Sequence, residues 1–157
     1  CIKVQKRRDS MTQQDVVKEL NQQVANWTVA YTKLHNFHWY VKGPNFFSLH
    51  TKFEELYDEA SQYVDDLAER ILAIGGNPIG TLTESLDKSI VKEAGKNYAA
   101  EQMVEELSHD FTNISKQLEH AIEVAGNAGD DVSEDMFIGM QTSVDKHNWM
   151  LQSYLGK

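Results

Sequence analysis

The chain is poor in cysteine, proline and glycine. Its 157 residues include one cysteine, two prolines and nine glycines. Because the one cysteine is Cys1, no internal disulfide can form, and we expect a reducing compartment, the cytoplasm. The scarcity of helix-breaking residues favours helix and predicts an all-α protein. A chain of this length also predicts one domain with its own core.

A long apolar run is absent as well. No stretch reaches the ~18 apolar residues of a membrane span, and residues 1–10 lack the apolar segment of a secretory signal. We therefore expect no membrane partner. Positive charge is scarce too, since the formal net charge is -9. This balance argues against nonspecific binding of nucleic acid or anionic membranes by the body of the protein, and it suits a protein that gathers cations.

Apolar periodicity predicts four long helices. They span residues 11 to about 41, 46–74, about 99 to 125, and 131 to about 154. Asn45 is expected to cap the second helix, and Asp131, with Glu134 three residues later, the fourth. The long join of residues 75–98 is expected to hold a short helix from Thr81 to Lys88. A long crossover between the middle helices is typical of a ferritin-like four-helix bundle, which is the fold we predict.

The second helix has two distinct faces when it is plotted at about 100° per residue. Its predicted core stripe consists of Leu49, Phe53, Leu56, Ala60, Tyr63, Leu67, Ile71 and Ile74. The opposite face carries two pairs at i, i+4 spacing, His50 with Glu54 and Asp65 with Glu69. An ordinary solvated face is the simplest interpretation of such charges. Mixed imidazole and carboxylate ligands, however, suit a divalent transition metal.

Apolar side chains on the same face favour the second interpretation. Phe47, Ala68 and Leu72 belong there only if something covers them. A second copy of the chain is the natural cover, because a two-fold contact presents the same face to itself.

One chain cannot bring the two pairs together. His50 and Asp65 are fifteen residues apart on one helix, which is about 22 Å. Two copies packed antiparallel about a two-fold axis near residues 57–58 would set His50 of one copy opposite Asp65 of the other. We also predict that His38, at the end of the first helix, supplies nitrogen alongside Asp65 and Glu69. The alternative for His38 is a core histidine whose nitrogens are hydrogen-bonded.

A competing site lies inside the predicted bundle. The stretch "ELSH", Glu106 to His109, matches the Glu-x-x-His pattern of di-iron bundles. Such a site requires two of these motifs and two further glutamates, and the sequence has no second copy. We therefore regard this pair as the weaker candidate.

Two stretches carry a family resemblance. "HWYVKGPNFFSLHTKFEELY" followed by "DDLAERILAIGG" resembles the Dps-like mini-ferritins, and the similarity continues through "GDDVSEDM" and "DKHNWM". It covers essentially everything after about residue 15. The resemblance implies a ferritin-like subunit in a hollow cage of twelve, built from two-fold dimers. It also implies oxidation of Fe(II), typically with hydrogen peroxide, and storage of ferric mineral inside.

The resemblance also assigns residues to iron, which would be substrate and cofactor at once, with one or two ions per site. The implied ligands are His38, Asp65 and Glu69 from one subunit and His50 and Glu54 from its partner. Trp39 corresponds to a tryptophan beside the site, a candidate electron donor.

An acidic cluster resembles the lining of the family's three-fold pores, through which iron passes. It consists of Asp130, Asp131 and Asp135. An ordinary acidic helix start, favoured by capping and the helix dipole, is the other interpretation of these residues.

Two functions from different classes follow. The first is a ferroxidase that stores iron and thereby protects DNA from oxidative damage. The alternative is a nucleoid-associated protein that binds and compacts DNA through a flexible basic arm, residues 1–10, which precedes the domain of residues 11–157. In "CIKVQKRRDS" four basic residues accompany a single acid, Asp9. A third hypothesis is a structural bundle with incidental metal affinity.

Overall fold

The computed structural model describes residues 11–157, which form five helices. They are α1 (Gln13–Tyr40), α2 (Phe46–Ala73), α3 (Leu82–Lys88), α4 (Ala100–Asn127) and α5 (Asp131–Tyr154). No strand occurs within this range. The predicted all-α fold, with four long helices and a short helix in the crossover, is confirmed. The predicted basic arm, residues 1–10, lies outside the described residues.

The helices pack as two hairpins. Contacts are densest between α1 and α2 and between α4 and α5, while α1 also touches α3 and α4. His38 of α1 meets His50 of α2 at one end of the first hairpin, and Asn21 bonds to the carbonyl of Asn77 at the other. These contacts show that α1 and α2 run antiparallel. In residues 11–157 no helix has both the length and the apolar character needed to cross a membrane.

The predicted apolar stripe of α2 forms part of the core. Its fully buried members are Leu49, Phe53, Leu56, Ala60, Leu67 and Ile71. Tyr63 and Ile74 are partly buried against the same core. Since this stripe faces inward, the opposite face of α2, with its two ligand-type pairs, faces outward.

The start of α2 differs from its prediction. Asn45 occupies the N-cap position, but its side chain makes no capping hydrogen bond. Its amide group instead donates to the Tyr154 hydroxyl at 2.8 Å. The side chain thus ties the start of α2 to the last turn of α5, which the periodicity of one helix cannot reveal.

The cap of α5 is Asp130 and not the predicted Asp131, because four donors converge on the earlier carboxylate. Asp130 accepts from the Ser133 amide at 3.0 Å and the Ser133 hydroxyl at 2.6 Å. Arg70 Nη2 donates at 2.7 Å and Gln13 Nε2 at 3.1 Å. One buried carboxylate therefore joins the ends of α1, α2 and α5.

The acidity of Asp130 reflects these contacts. Burial by itself raises the pKa of the carboxyl, but the hydrogen bonds from Ser133, Gln13 and Arg70 outweigh it and lower the pKa below 3.8. A carboxylate with a lowered pKa contributes stability above its unfolded pKa, about 3.9, and loses that contribution as pH falls through the folded value.

Replacing this carboxylate should destabilise the fold at neutral pH. For Asp130→Asn we expect a loss of about 1.5–3 kcal/mol in the free energy of unfolding, since the bonds lost involve a charged group. The difference from the native chain should shrink as pH falls below about 4. Thermal unfolding across pH measures this, with Asp131→Asn as a control of equal charge change. An equal effect of the two substitutions would contradict the assignment.

Candidate metal centre

Two histidines meet where α1 gives way to α2. The chain reverses through Gly43, whose φ of 106° is accessible to glycine and strained for other residues. The reversal brings His38, 8 % exposed, against His50. The two imidazole rings stack with centroids 3.6 Å apart and an interplanar angle of 13°.

Each histidine is oriented by the backbone of the other. His38 Nδ1 lies 2.6 Å from the carbonyl oxygen of His50, and His50 Nδ1 lies 2.7 Å from the carbonyl oxygen of His38. Because a carbonyl oxygen only accepts, each Nδ1 must carry the proton, which leaves a lone pair on each Nε2. A histidine that donates one ring N–H to a carbonyl and keeps the other nitrogen free is arranged as metal-binding histidines are.

The carboxylate pair lies elsewhere on the same helix. Asp65 and Glu69 are exposed, one turn apart, in the second half of α2. At 1.5 Å per residue they are more than about 20 Å from His50 along the helix axis.

The predicted partition of the ligands between two subunits needs a correction. His38 does not share its side of the site with Asp65 and Glu69, because its ring stacks on His50. The antiparallel reversal places the end of α1 beside the start of α2. The two histidines therefore form one half of any shared site, and the carboxylates form the other.

The described part of one chain presents only parts of a site. Within residues 11–157, no three His, Cys, Asp or Glu side chains gather in a group that could hold a metal ion. The assignment of His38, His50, Glu54, Asp65 and Glu69 as ligands thus stays a prediction.

An aromatic chain connects the histidine pair to Trp39. The ring of Tyr57 lies edge-on to His38 at 5.2 Å and stacks on His35 at 3.8 Å. His35 in turn lies 5.2 Å from Trp39, which is 67 % exposed. The predicted electron donor thus reaches the histidines through two intervening rings.

The sequence analysis did not predict that the Tyr57 ring contacts His35 and His38, although the spacing of Tyr57 from His50 and Glu54 indicates a shared helix face. Tyr57 follows His50 by seven residues and Glu54 by three, so all three share one face of α2. Desolvation and the nearby carboxylates of Glu54 and Asp58 raise the pKa of the Tyr57 hydroxyl. Glu54 therefore sits next to this ring, one turn beyond His50.

The outward face of α2 also leaves large apolar side chains exposed. Phe47 is 82 % exposed and Leu72 is 61 % exposed, near the two ends of the helix. Such side chains on both sides of the ligand-type pairs are consistent with the predicted covering partner.

The competing site inside the bundle is disabled by a lysine. Lys33 is 1 % exposed, and its ammonium lies 2.6 Å from Asp110 and 3.1 Å from Glu106. His109 is exposed, and its Nε2 contacts the amide of Asn113. The positive charge of the Lys33 ammonium beside Glu106 opposes the binding of a metal cation there.

A second, partly buried network engages His147. Glu59 accepts from His147, Ser143 and Tyr63, and Lys52 lies 3.0 Å from the other ring nitrogen of His147. Burial by itself raises the pKa of Glu59, but the three hydrogen bonds lower it to about 2. With both ring nitrogens engaged, His147 has no lone pair free for a metal.

The acidic cluster at the start of α5 is only partly available. Asp131 and Asp135 are exposed one turn apart, but Asp130 is 8 % exposed and saturated by its four donors. The carboxylate of Asp130 already serves the helix cap, so Asp131 and Asp135 are the exposed members of the cluster. The iron pore stays a prediction.

Comparison with known proteins agrees with this architecture. The ferritin-like domain family matches residues 17–157. The crystal structure of Dps from Staphylococcus aureus superposes with a TM-score of 0.92 at 88% identity, covering 92% of this chain and 97% of that one. Dps from Bacillus brevis gives a TM-score of 0.89 at 51% identity, covering 90% and 95%.

Curated relatives point the same way. General stress protein 20U of Bacillus subtilis is 52% identical over 143 residues, which is 91% of this chain and 99% of the relative. DNA protection during starvation protein 2 of Bacillus anthracis is 49% identical over 142 residues, 90% and 97% of the two chains. The chain belongs to the ferritin-like family and, within it, to the Dps proteins.

Because both Nε2 atoms keep a lone pair, we predict that each histidine contributes to metal affinity. In the assembled protein, His38→Ala and His50→Ala should each weaken Co(II) binding by about tenfold or more. His109→Ala is the matched control, because its ring is exposed on α4 and its Nε2 already accepts a hydrogen bond from the Asn113 amide. Titration followed by the visible absorption of Co(II) gives the affinities. Unchanged affinity in both variants would contradict the histidine pair as a ligand set.

Proposed function

We propose that this protein is a ferroxidase that stores iron. It oxidises Fe(II), preferably with hydrogen peroxide, at sites shared between two subunits, and it holds the ferric mineral inside a hollow cage of twelve subunits. The observation that carries the proposal is the stacked pair of His38 and His50, in which hydrogen bonds to backbone carbonyls leave both Nε2 lone pairs free.

The ligand chemistry suits oxidation of bound iron. The neutral imidazoles of His38 and His50 bind Fe(II) and fix its position. Asp65 and Glu69 of the partner subunit supply hard anionic oxygens, which stabilise Fe(III) more than Fe(II). Glu54, one turn from His50, adds a carboxylate on the histidine side. Oxidation of the bound ion is therefore easier than oxidation of the hydrated ion.

The reaction balances with peroxide as oxidant. Two Fe(II) ions give one electron each to hydrogen peroxide, which takes up two protons and becomes two water molecules. If a site holds one iron, Trp39 can supply the second electron through the rings of His35 and Tyr57. Successive ring centroids from Trp39 to His38 are at most 5.2 Å apart. Either way, the peroxide is consumed without releasing a hydroxyl radical.

Protection of DNA follows from this chemistry, and several relatives are named for DNA protection during starvation. Removing Fe(II) and peroxide together removes the reactants that damage DNA. The exposed pair of Asp131 and Asp135 supports passage of iron, because copies gathered around a three-fold axis would concentrate negative potential.

A shared site gives an unusual result when two inactive variants are mixed. His50→Ala and Asp65→Ala should each abolish rapid Fe(II) oxidation, because every site needs one residue from each subunit. In a hybrid dimer one site has both lesions and the other has neither, so co-refolding should restore up to about half of the activity per hybrid. Peroxide-dependent Fe(II) oxidation by purified hybrids measures this.

His109→Ala is the matched control and should keep full activity, because its ring is exposed and away from the histidine pair. Hybrids that stay inactive, while both parent variants keep their fold and assembly, would contradict the shared site.

A further inference from the structure

The core face of α2 carries a tyrosine whose hydroxyl is bonded to a carboxylate. Tyr63 is partly buried against the core, and its hydroxyl donates to Glu59 Oε1 at 2.6 Å. The two residues lie one turn apart on α2, so the helix itself holds them together. Burial raises the pKa of Glu59, but its hydrogen bonds lower it to about 2, so the carboxylate is ionised at neutral pH. A carboxylate in this position can take the phenol proton when the Tyr63 ring loses an electron.

A buried indole lies against the Tyr63 ring. Trp27 of α1 is 2 % exposed, and its ring centroid is 5.0 Å from that of Tyr63. Among the residues that the structure describes, Trp27 Nε1 is the one buried side-chain nitrogen or oxygen without a hydrogen-bond partner. An oxidised Trp27 therefore has no acceptor for its proton, whereas an oxidised Tyr63 has Glu59. If the two rings together lose one electron, the oxidised state is localised on Tyr63.

Tyr63 lies behind the carboxylate half of the metal centre. Asp65 follows Tyr63 by two residues, and it is exposed on the outward face of α2 while Tyr63 packs on the core. An α-helix with its side chains is about 10–12 Å wide. The Tyr63 ring and an ion held by Asp65 are thus separated by one helix width. An electron can cross that distance through a protein without contact between donor and acceptor.

The surroundings of Tyr63 suit an oxidised residue that has to persist. The other candidate donor, Trp39, is 67 % exposed, so solutes reach its ring once it is oxidised. Tyr63 is covered by Trp27, which packs in turn on Phe111 of α4 with centroids 5.9 Å apart. Tyr63 is therefore better shielded from reductants in solution than Trp39 is.

We propose that Tyr63 is a redox site that stores one oxidising equivalent of peroxide when a metal centre holds a single iron. This inference rests on the proposed ferroxidase function. Hydrogen peroxide needs two electrons to become two water molecules, and one Fe(II) supplies only one of them. Tyr63 supplies the second, and its hydroxyl proton passes to Glu59. The peroxide takes two protons from solution.

The next Fe(II) returns the pair to its starting state. It gives one electron to the Tyr63 radical, and Glu59 gives the proton back to the hydroxyl oxygen. The two steps together oxidise two Fe(II) ions for each peroxide, with Tyr63 and Glu59 restored. A centre with one iron thus completes the reduction of peroxide in the same overall ratio as a centre with two.

Electron paramagnetic resonance of frozen samples tests the proposal. Assembled protein that contains ring-deuterated tyrosine receives one Fe(II) and one hydrogen peroxide per metal centre without oxygen. We expect a radical signal that deuteration narrows, which identifies tyrosine and not tryptophan. One further Fe(II) per radical should remove the signal, in a one-to-one ratio.

Two substitutions examine the pair itself. Tyr63→Phe keeps the ring against Trp27 and should lose most of the tyrosine signal. Glu59→Gln keeps an oxygen acceptor for the Tyr63 hydroxyl but cannot hold its proton, so the signal should decay faster than in the native protein. If Glu59→Gln fails to assemble, Tyr63→Phe decides the outcome alone.

The matched control is Tyr154→Phe, because the Tyr154 hydroxyl accepts from the neutral Asn45 amide and is paired with no carboxylate there. It should keep the native signal. Equal signals in Tyr63→Phe and Tyr154→Phe would overturn the proposal. A signal that is lost in Tyr57→Phe but kept in Tyr63→Phe would place the oxidised residue on the histidine side of the centre and would overturn it too.

Fe(II) oxidation by the native protein separates this proposal from the ferroxidase proposal. Native protein that oxidises Fe(II) without forming a radical on Tyr63 would overturn the redox site and leave the ferroxidase function intact. Native protein that does not oxidise Fe(II) with peroxide would remove both.

Discussion

The proposed chemistry depends on the reciprocal hydrogen bonds between His38 and His50. The Nδ1–H group of each ring donates a hydrogen bond to the backbone carbonyl of the other residue, at 2.6 and 2.7 Å, and each ring keeps a lone pair on Nε2. Those carbonyls lie at the end of α1 and near the start of α2, so the antiparallel hairpin fixes the tautomers and the stacking together. A tight reversal through Gly43 makes the arrangement attainable, since its φ of 106° is strained in other residues.

The interior of the bundle explains why this chemistry lies on the outer face of α2. Polar groups between the helices pair with one another. Lys33 forms ion pairs with Asp110 and Glu106, and Glu59 is hydrogen-bonded to His147 and its neighbours. Removing Lys33 would leave the buried carboxylate of Asp110 without its partner, which costs about 3–5 kcal/mol. The ligand-type side chains that keep atoms free for a cation therefore lie on the outward face of α2, except His38 of α1, which is buried against His50.

The periodicity of single helices predicted much of the fold. The inward stripe of α2 follows from spacings of three and four residues, and it places both ligand-type pairs on the outward face. What failed required knowledge of two elements at once. The position of His38 depends on the reversal between α1 and α2. The cap at Asp130 depends on Arg70 and Gln13, which belong to other helices. The Glu106 pair was already the weaker candidate, and the contact of Lys33 with Glu106 agrees with that.

The central claim is that iron binds between two subunits, with histidines from one and carboxylates from the other. A crystal of the assembled protein soaked with Fe(II) without oxygen, and measured on both sides of the iron absorption edge, tests it most directly. The account predicts an anomalous peak within about 2.0–2.4 Å of Nε2 of His38 or His50 and of the carboxylate of Asp65 or Glu69 from the partner subunit. Iron bound between Glu106 and His109 within one subunit, or ligands drawn from a single chain, would contradict it.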